Sequence, residues 1–189
     1  MPSRDQILEY AHSITNKENL IRHLLAVEAA MRGLAERFGG NIEEWGLLGL
    51  IHDADWEKTE SNPESHTLFT LEWLKGMGLD AGPFINAIKA HNRKLTKLFG
   101  EPDTEMSWSL DCVDELTGFI IAVALVRPEK KLATVDLSSI KKKWKQKEFA
   151  RAVNRESIEA CESKLNIPLD EFISITLRSL QGIADKVGL

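Results

Sequence analysis

Cysteine is scarce in this chain. Cys112 and Cys161 are the only two, they stand far apart, and they match no zinc-site spacing. With no secretory leader in view, they are expected to be reduced thiols of a cytoplasmic protein. A basic surplus is also missing. The net charge is −5, with acidic and basic residues interspersed. That excludes a general nucleic-acid polymer as partner, while leaving room for a local basic patch around a small anion. No apolar run reaches the ~20 residues that a membrane span needs, so no membrane partner is expected. The longest, LTGFIIAVALV at 116–126, reads as a buried core helix. Alternating strand patterns, internal repeats and low-complexity tracts are absent as well. What remains is 189 residues at 43% hydrophobic, enough for one domain with a substantial core.

The hydrophobic spacing is helical nearly everywhere. It predicts a first helix over about 4–14 and a second over about 17–38, capped by Thr15 or Asn16 and stopped by Gly39-Gly40. Asn41 caps a third, which ends near Asp53. The stretch EKTESNPE reads as a loop, and Pro63 opens a fourth helix that stops by Gly76 or Gly78. Asp80 caps a short fifth helix through Ala90, with Pro83 near its first turn. A polar loop at 94–106 leads into a long apolar helix of about 107–126, ended by Pro128. Three helical segments follow: LSSIKKKWKQ, RESIEACESKL and PLDEFISITLRSLQGIADKVG. The basic run KKKWKQK is expected to dock through Ile140 and Trp144. The fold class is all-α, a single domain over 1–189 with a core at about 18–130 and a C-terminal helical extension at about 131–189.

Several ionisable residues fall on apolar faces. His23 shares a helical stripe with Leu20, Val27, Ala30, Met31 and Leu34, so it points inward. It is either a core histidine satisfied by a carbonyl or a ligand. The most apolar short helix, WGLLGLI, runs straight into His52 and Asp53. Asp114 lies on the long apolar helix between Leu110 and Ile121. Burying even a neutral unpaired polar group costs ~1–3 kcal/mol, and a charge costs more. Asp114 must therefore be paired, protonated or bound to a metal, and Asp111 can share its face. His66 and His91 stand at helix ends, where a histidine alone is ordinary; His12 reads as surface. Taken together, four imidazoles and two carboxylates come from five separate helices, which is how helical bundles build metal sites in their cores.

The ordered set His23, His52-Asp53, Asp114 resembles the HD superfamily of metal-dependent phosphohydrolases. The wording is similar to its small HDIG-type members over roughly residues 18–130: LLAVEAAMRGLAERFG, WGLLGLIHDADWE, PESHTLFTLEWLKGMGL, AIKAHN and VDELTGFIIAVALVRP. The resemblance implies an HD-domain helical bundle with additional C-terminal helices. It implies metal ligation by His23, His52, Asp53 and Asp114, and a second metal at His66 and His91. The motif here is HDAD, so Asp55 stands where the family has glycine. No GYP tripeptide follows, which speaks against the cyclic-dinucleotide phosphodiesterase branch.

The expected cofactor is one or two divalent transition ions, since imidazoles mixed with carboxylates suit Mn, Fe, Co, Ni or Zn better than Mg or Ca. The expected chemistry is attack of a metal-activated water on a small phosphorylated substrate, a nucleotide among the candidates. Asp53 is the candidate bridge between two ions, and Asp55 or Glu57 the candidate to orient water, making Asp53 and Asp55 the catalytic pair. The segment KAHNRKLTK surrounds His91 with Lys89, Arg93, Lys94 and Lys97; Arg93 and Lys94, directly after the ligand, are the candidate phosphate partners. Two rival functions share the ligand set: a di-iron oxygenase on the same fold, and a binding module without turnover.

Overall fold

Side chains that take up free backbone amides set most helix starts in this chain. The computed structural model describes residues 1–96 and 98–189, and every regular element among them is helical. Helix α1 (Arg4–Ile14) opens on a capping box between Ser3 and Gln6. Helix α2 (Glu18–Phe38) stops at Gly39. Its start corrects the expectation of a cap at Thr15 or Asn16. The Glu57 carboxylate accepts instead from the amides of Asn16, at 2.9 Å, and Lys17, at 3.3 Å, and from the Thr15 hydroxyl. Helix α3 (Ile42–Ile51) begins where the Asn41 side chain accepts from the Glu44 amide.

The stretch expected to be a loop holds one helical turn, α4 (Trp56–Thr59), and Pro63 opens only a 3-10 turn. Helix α5 (Leu68–Gly76) starts late because Thr67, at φ 69°, turns the chain into the left-handed region. Helix α6 (Pro83–His91) follows Gly82 at φ 104°, a conformation open to glycine, and Asp80 does not cap it. Helix α7 (Glu105–Leu125) opens on a capping box between Thr104 and Ser107. The remaining helices are α8 (Leu137–Trp144), α9 (Arg155–Lys164), α10 (Leu169–Gln181) and α11 (Ala184–Val187).

The two long helices α2 and α7 pack on one another and organise the rest. Helices α3, α10 and α11 lie against α2; α6 and α9 lie against α7; α1 covers α3. Leu24, Val27, Met31 and Leu34 of α2 meet Leu110, Leu116 and Ile120 of α7 in a hydrophobic cluster that also takes in Ile158, Phe172 and Leu180. Each such side chain adds about 1.5–3 kcal/mol of burial free energy. The segment after residue 131 is thus built into the same core. In α8, Ile140 is buried and the Trp144 ring meets Phe119 edge-on at 5.0 Å, leaving the lysines outside. Among the described residues, no helix is long and apolar enough to cross a membrane.

One close approach sets the geometry that matters for chemistry. A Cβ at Gly49 would lie 2.7 Å from the Val27 carbonyl oxygen and 2.9 Å from the Glu28 nitrogen. Helix α3 therefore rests directly on the backbone of α2, about one turn from His23. This seats His52, just past the end of α3, with its ring 5.3 Å from that of His23. We expect Gly49→Ala to lower stability by about 1–2 kcal/mol despite the ~1 kcal/mol that alanine gains in helix propensity. Denaturant unfolding measures this, and an unchanged midpoint would mean that the two backbones can separate freely.

Candidate metal centre

Helix ends supply most of the ligands. His52 sits at the C-cap of α3, with Asp53 immediately after it. His66 lies in the turn before α5, and His91 is the last residue of α6. His23 and Asp114 come from the interiors of α2 and α7, whose packing brings them face to face. All six metal candidates read from the sequence converge, and they fall into two groups able to hold a metal ion: His23, His52, Asp53 and Asp114, and Asp53, His66 and His91.

Asp53 belongs to both groups, through different oxygens. Its Oδ2 lies 3.8 Å from His23 Nε2 and 3.7 Å from His52 Nε2. Its Oδ1 lies 3.0 Å from His66 Nε2 and 2.9 Å from His91 Nε2. Asp114 Oδ1 completes the first group, at 3.0 Å from His23 Nε2 and 3.4 Å from His52 Nε2. Metal bonds of about 2.0–2.2 Å to nitrogen and oxygen set neighbouring donors roughly 3–3.5 Å apart. The observed separations are close to that spacing, so the donors stand nearly where an ion would require them.

The imidazole tautomers agree. His52 Nδ1 donates to the Gly49 carbonyl at 2.8 Å, and His66 Nδ1 donates to Asp55 Oδ1 at 2.9 Å. Each ring then turns Nε2 toward the centre. Both Nε2 atoms are buried and, although carboxylate oxygens stand 3.0 Å from His66 and 3.4 Å from His52, neither makes a hydrogen bond of good geometry. One such nitrogen in each group fits a cation as its partner. Nitrogen and oxygen donors in this mixture fit a transition metal.

Asp55, the candidate for orienting water, lies elsewhere. It is fully buried behind His66 and does not line the cavity. Beyond His66, it accepts from the amides of Thr67, at 3.0 Å, and Thr70, at 3.1 Å, the cap and third positions of α5. One carboxylate thus caps a helix from a distance and orients a histidine. Asn92 does related work: its side-chain amide donates to the His66 carbonyl, tying the end of α6 to the turn before α5. Its place directly after His91 was the one sequence signal for that role. Glu57, the other candidate for water, holds the start of α2 instead.

A cavity of about 400 Å³ opens over the cluster, walled in part by Trp56, Leu95 and Val153. Lys94 lines it, with Nζ 3.0 Å from Ser157 Oγ and 3.3 Å from Asp111 Oδ1. Arg93 does not line it. Its guanidinium makes a two-pronged pair with Asp111 at 2.7 and 3.0 Å and donates Nε to Glu101 at 2.7 Å. That leaves Arg93 committed within the protein and little of it free for a phosphate. Lys97 lies outside the described residues. Trp56, Val153 and Ser157 were missed in the sequence, where nothing in their neighbourhoods marks them.

The charges are strongly coupled. Burial favours the neutral form of Asp53, but His52, with His66 and His91 against its oxygens, holds its carboxyl well below the usual range. Asp114 is likewise held low against burial by His23 and His52. Burial opposes charge on His66, yet Asp53 and Asp55 outweigh it and push its pKa up to about 9.

Comparison with protein-family models, with curated proteins and with solved structures finds no match for this chain.

Asp53→Ala removes the one residue common to both groups, and we expect it to abolish metal binding by elemental analysis, whereas His12→Ala, on the exposed side of α1, should bind as before. Retention of metal by the Asp53 variant would refute the site. Asp55→Asn should weaken binding by about 10–100-fold, the usual cost of losing a ligand's orienting partner. The raised pKa of His66 also fixes a sign. Its proton must leave before a metal can bind, so affinity should climb from pH 6 toward pH 9, by about tenfold per unit for each proton released, and then level off. Calorimetric titration across that range reads the slope.

Proposed function

We propose that this chain is a metal-dependent phosphohydrolase of the HD type, cleaving a small phosphate ester. The observation that carries the reading is the Asp53 carboxylate, reached on one oxygen by His23 and His52 and on the other by His66 and His91. A carboxylate shared in that way suits a pair of cations acting on one phosphate. Divalent ions held by these residues would lower the pKa of a water molecule and neutralise charge on phosphoryl oxygens.

The protein's own groups do the rest. Asp53 and Asp114 are held below the usual carboxylate range by the histidines around them, so each offers negative charge to a cation at neutral pH. Lys94 is anchored by Ser157 and Asp111 but keeps 44% of its side chain exposed, so it offers a positive charge to an incoming phosphate. Arg93 holds Asp111 in place and through it the lysine. Trp56, Leu95 and Val153 form apolar walls that limit water around the reacting group. Cys112 and Cys161 are free and buried, in keeping with a reducing, cytoplasmic setting.

The test is a panel of phosphate monoesters and diesters, nucleotides included, offered to protein loaded in turn with Mn, Fe, Co, Ni and Zn. Metal-dependent phosphate release is expected, lost on chelation and in Asp53→Ala. Lys94→Ala should lower kcat/KM by about ten- to a hundredfold, the worth of one charge-assisted hydrogen bond. Dioxygen uptake by the iron-loaded protein without phosphate release would replace this reading with an oxygenase. Absence of any turnover, with metal and phosphate both bound, would replace it with a binding module.

A further inference from the structure

The face of α7 that carries Asp114 continues past the metal ligands. Asp114, Gly118, Ile121 and Leu125 recur at helical steps of four, three and four, so they form one stripe. A Cβ at Gly118 would meet nothing within 4 Å. Gly118 lines the cavity over the cluster and also a second cavity of about 380 Å³; His23 is the other residue common to the two. Beyond Gly118 the second cavity is walled by Ile121 and Leu125, and by Val187 and Leu189 from the C-terminal segment. Its polar side chains are Asn19, Arg22 and His23; Arg22 is already engaged with Glu18 at 3.3 Å, and His23 with Asp114 at 3.0 Å.

We propose that this second cavity receives the non-phosphorylated part of the substrate, that this part is an aliphatic chain, and that Gly118 is the passage to it. The inference rests on the phosphohydrolase reading for the position of the phosphate. Continuity with the metal cavity selects a portion of the same molecule as occupant. The lining selects its chemistry: aliphatic walls reward burial of methylenes, whereas the one aromatic ring in the lining, the imidazole of His23, is engaged with Asp114 at the metal group, and no Phe, Tyr or Trp stands there for a nucleobase to stack on. The absence of a side chain at Gly118 has no packing cause, since no neighbour crowds it. Leucine there would fit the helix and fill the passage. From Asp114 to Leu125 the helix advances roughly 16 Å, the span of an extended chain of about ten to twelve carbons.

The experiment titrates metal-loaded protein with butyl, hexyl, octyl and decyl phosphonate, which bind as phosphate esters do but are not cleaved. All are kept below their micelle concentrations. Affinity should rise about two- to threefold for each added methylene, the gain for partial burial of a CH₂ group. In Gly118→Leu the octyl-to-butyl affinity ratio should collapse toward one. In Leu125→Asp the decyl-to-hexyl ratio should fall while the hexyl-to-butyl ratio persists. Thermal melts check that both variants are folded. A flat series on the unaltered protein would overturn the proposal, and phosphate release from any short ester would then leave the hydrolase reading standing. Unchanged ratios in folded Gly118→Leu would also overturn it. A rising series in a protein that hydrolyses nothing would support the aliphatic cavity and remove the hydrolase reading alone.

Discussion

One carboxylate organises this protein. Asp53 presents each of its two oxygens to a different set of imidazoles, and the four histidines around it approach closely only because that negative charge lies between them. Four rings converging on a point without it would carry buried nitrogens with nothing to face. The cost of such an arrangement in a helical core is high, since every charge must be matched within the site. Asp114 supplies the second negative charge and closes the group on the α7 side.

The surrounding backbone is shaped to hold that charge pattern. Gly49 lets α3 press onto α2, and its carbonyl then fixes the ring of His52. Asp55 fixes the ring of His66 and also starts α5, so a local conformation and a ligand's orientation depend on the same side chain. Thr67 pays for this with a left-handed backbone, which a β-branched residue adopts only under constraint. Asn92 holds the His66 carbonyl from the neighbouring turn. None of these residues touches the centre of the cluster, yet each limits how far a ligand can swing.

The sequence was most legible where apolar periodicity was strong. The all-α class, the two long helices and the inward face of His23 followed from spacing alone. The ligand set followed from residue type and order together with the family resemblance. Helix starts were less legible, because two of them are capped from afar: Glu57 serves α2 and Asp55 serves α5. A carboxylate acting across such a separation leaves no local motif. For the same reason Asp55 looked available for catalysis and Arg93 looked free for phosphate. Their partners, at His66 and Asp111, become neighbours only when the chain folds. Val153 reaches the cavity from the C-terminal segment and Ser157 reaches the Lys94 that lines it, and no pattern near them marks either contact.

The order of the ligands along the chain has a consequence for biogenesis. During synthesis from the N-terminus, Asp53, His66 and His91 have all been made before α7 exists, whereas the other group stays open until Asp114 emerges. Helix α6, which carries His91, nonetheless packs mainly on α7, and α7 packs on α2. Both groups therefore wait on the same late helix, and the shared carboxylate gains company on either oxygen only after residue 114 has been made.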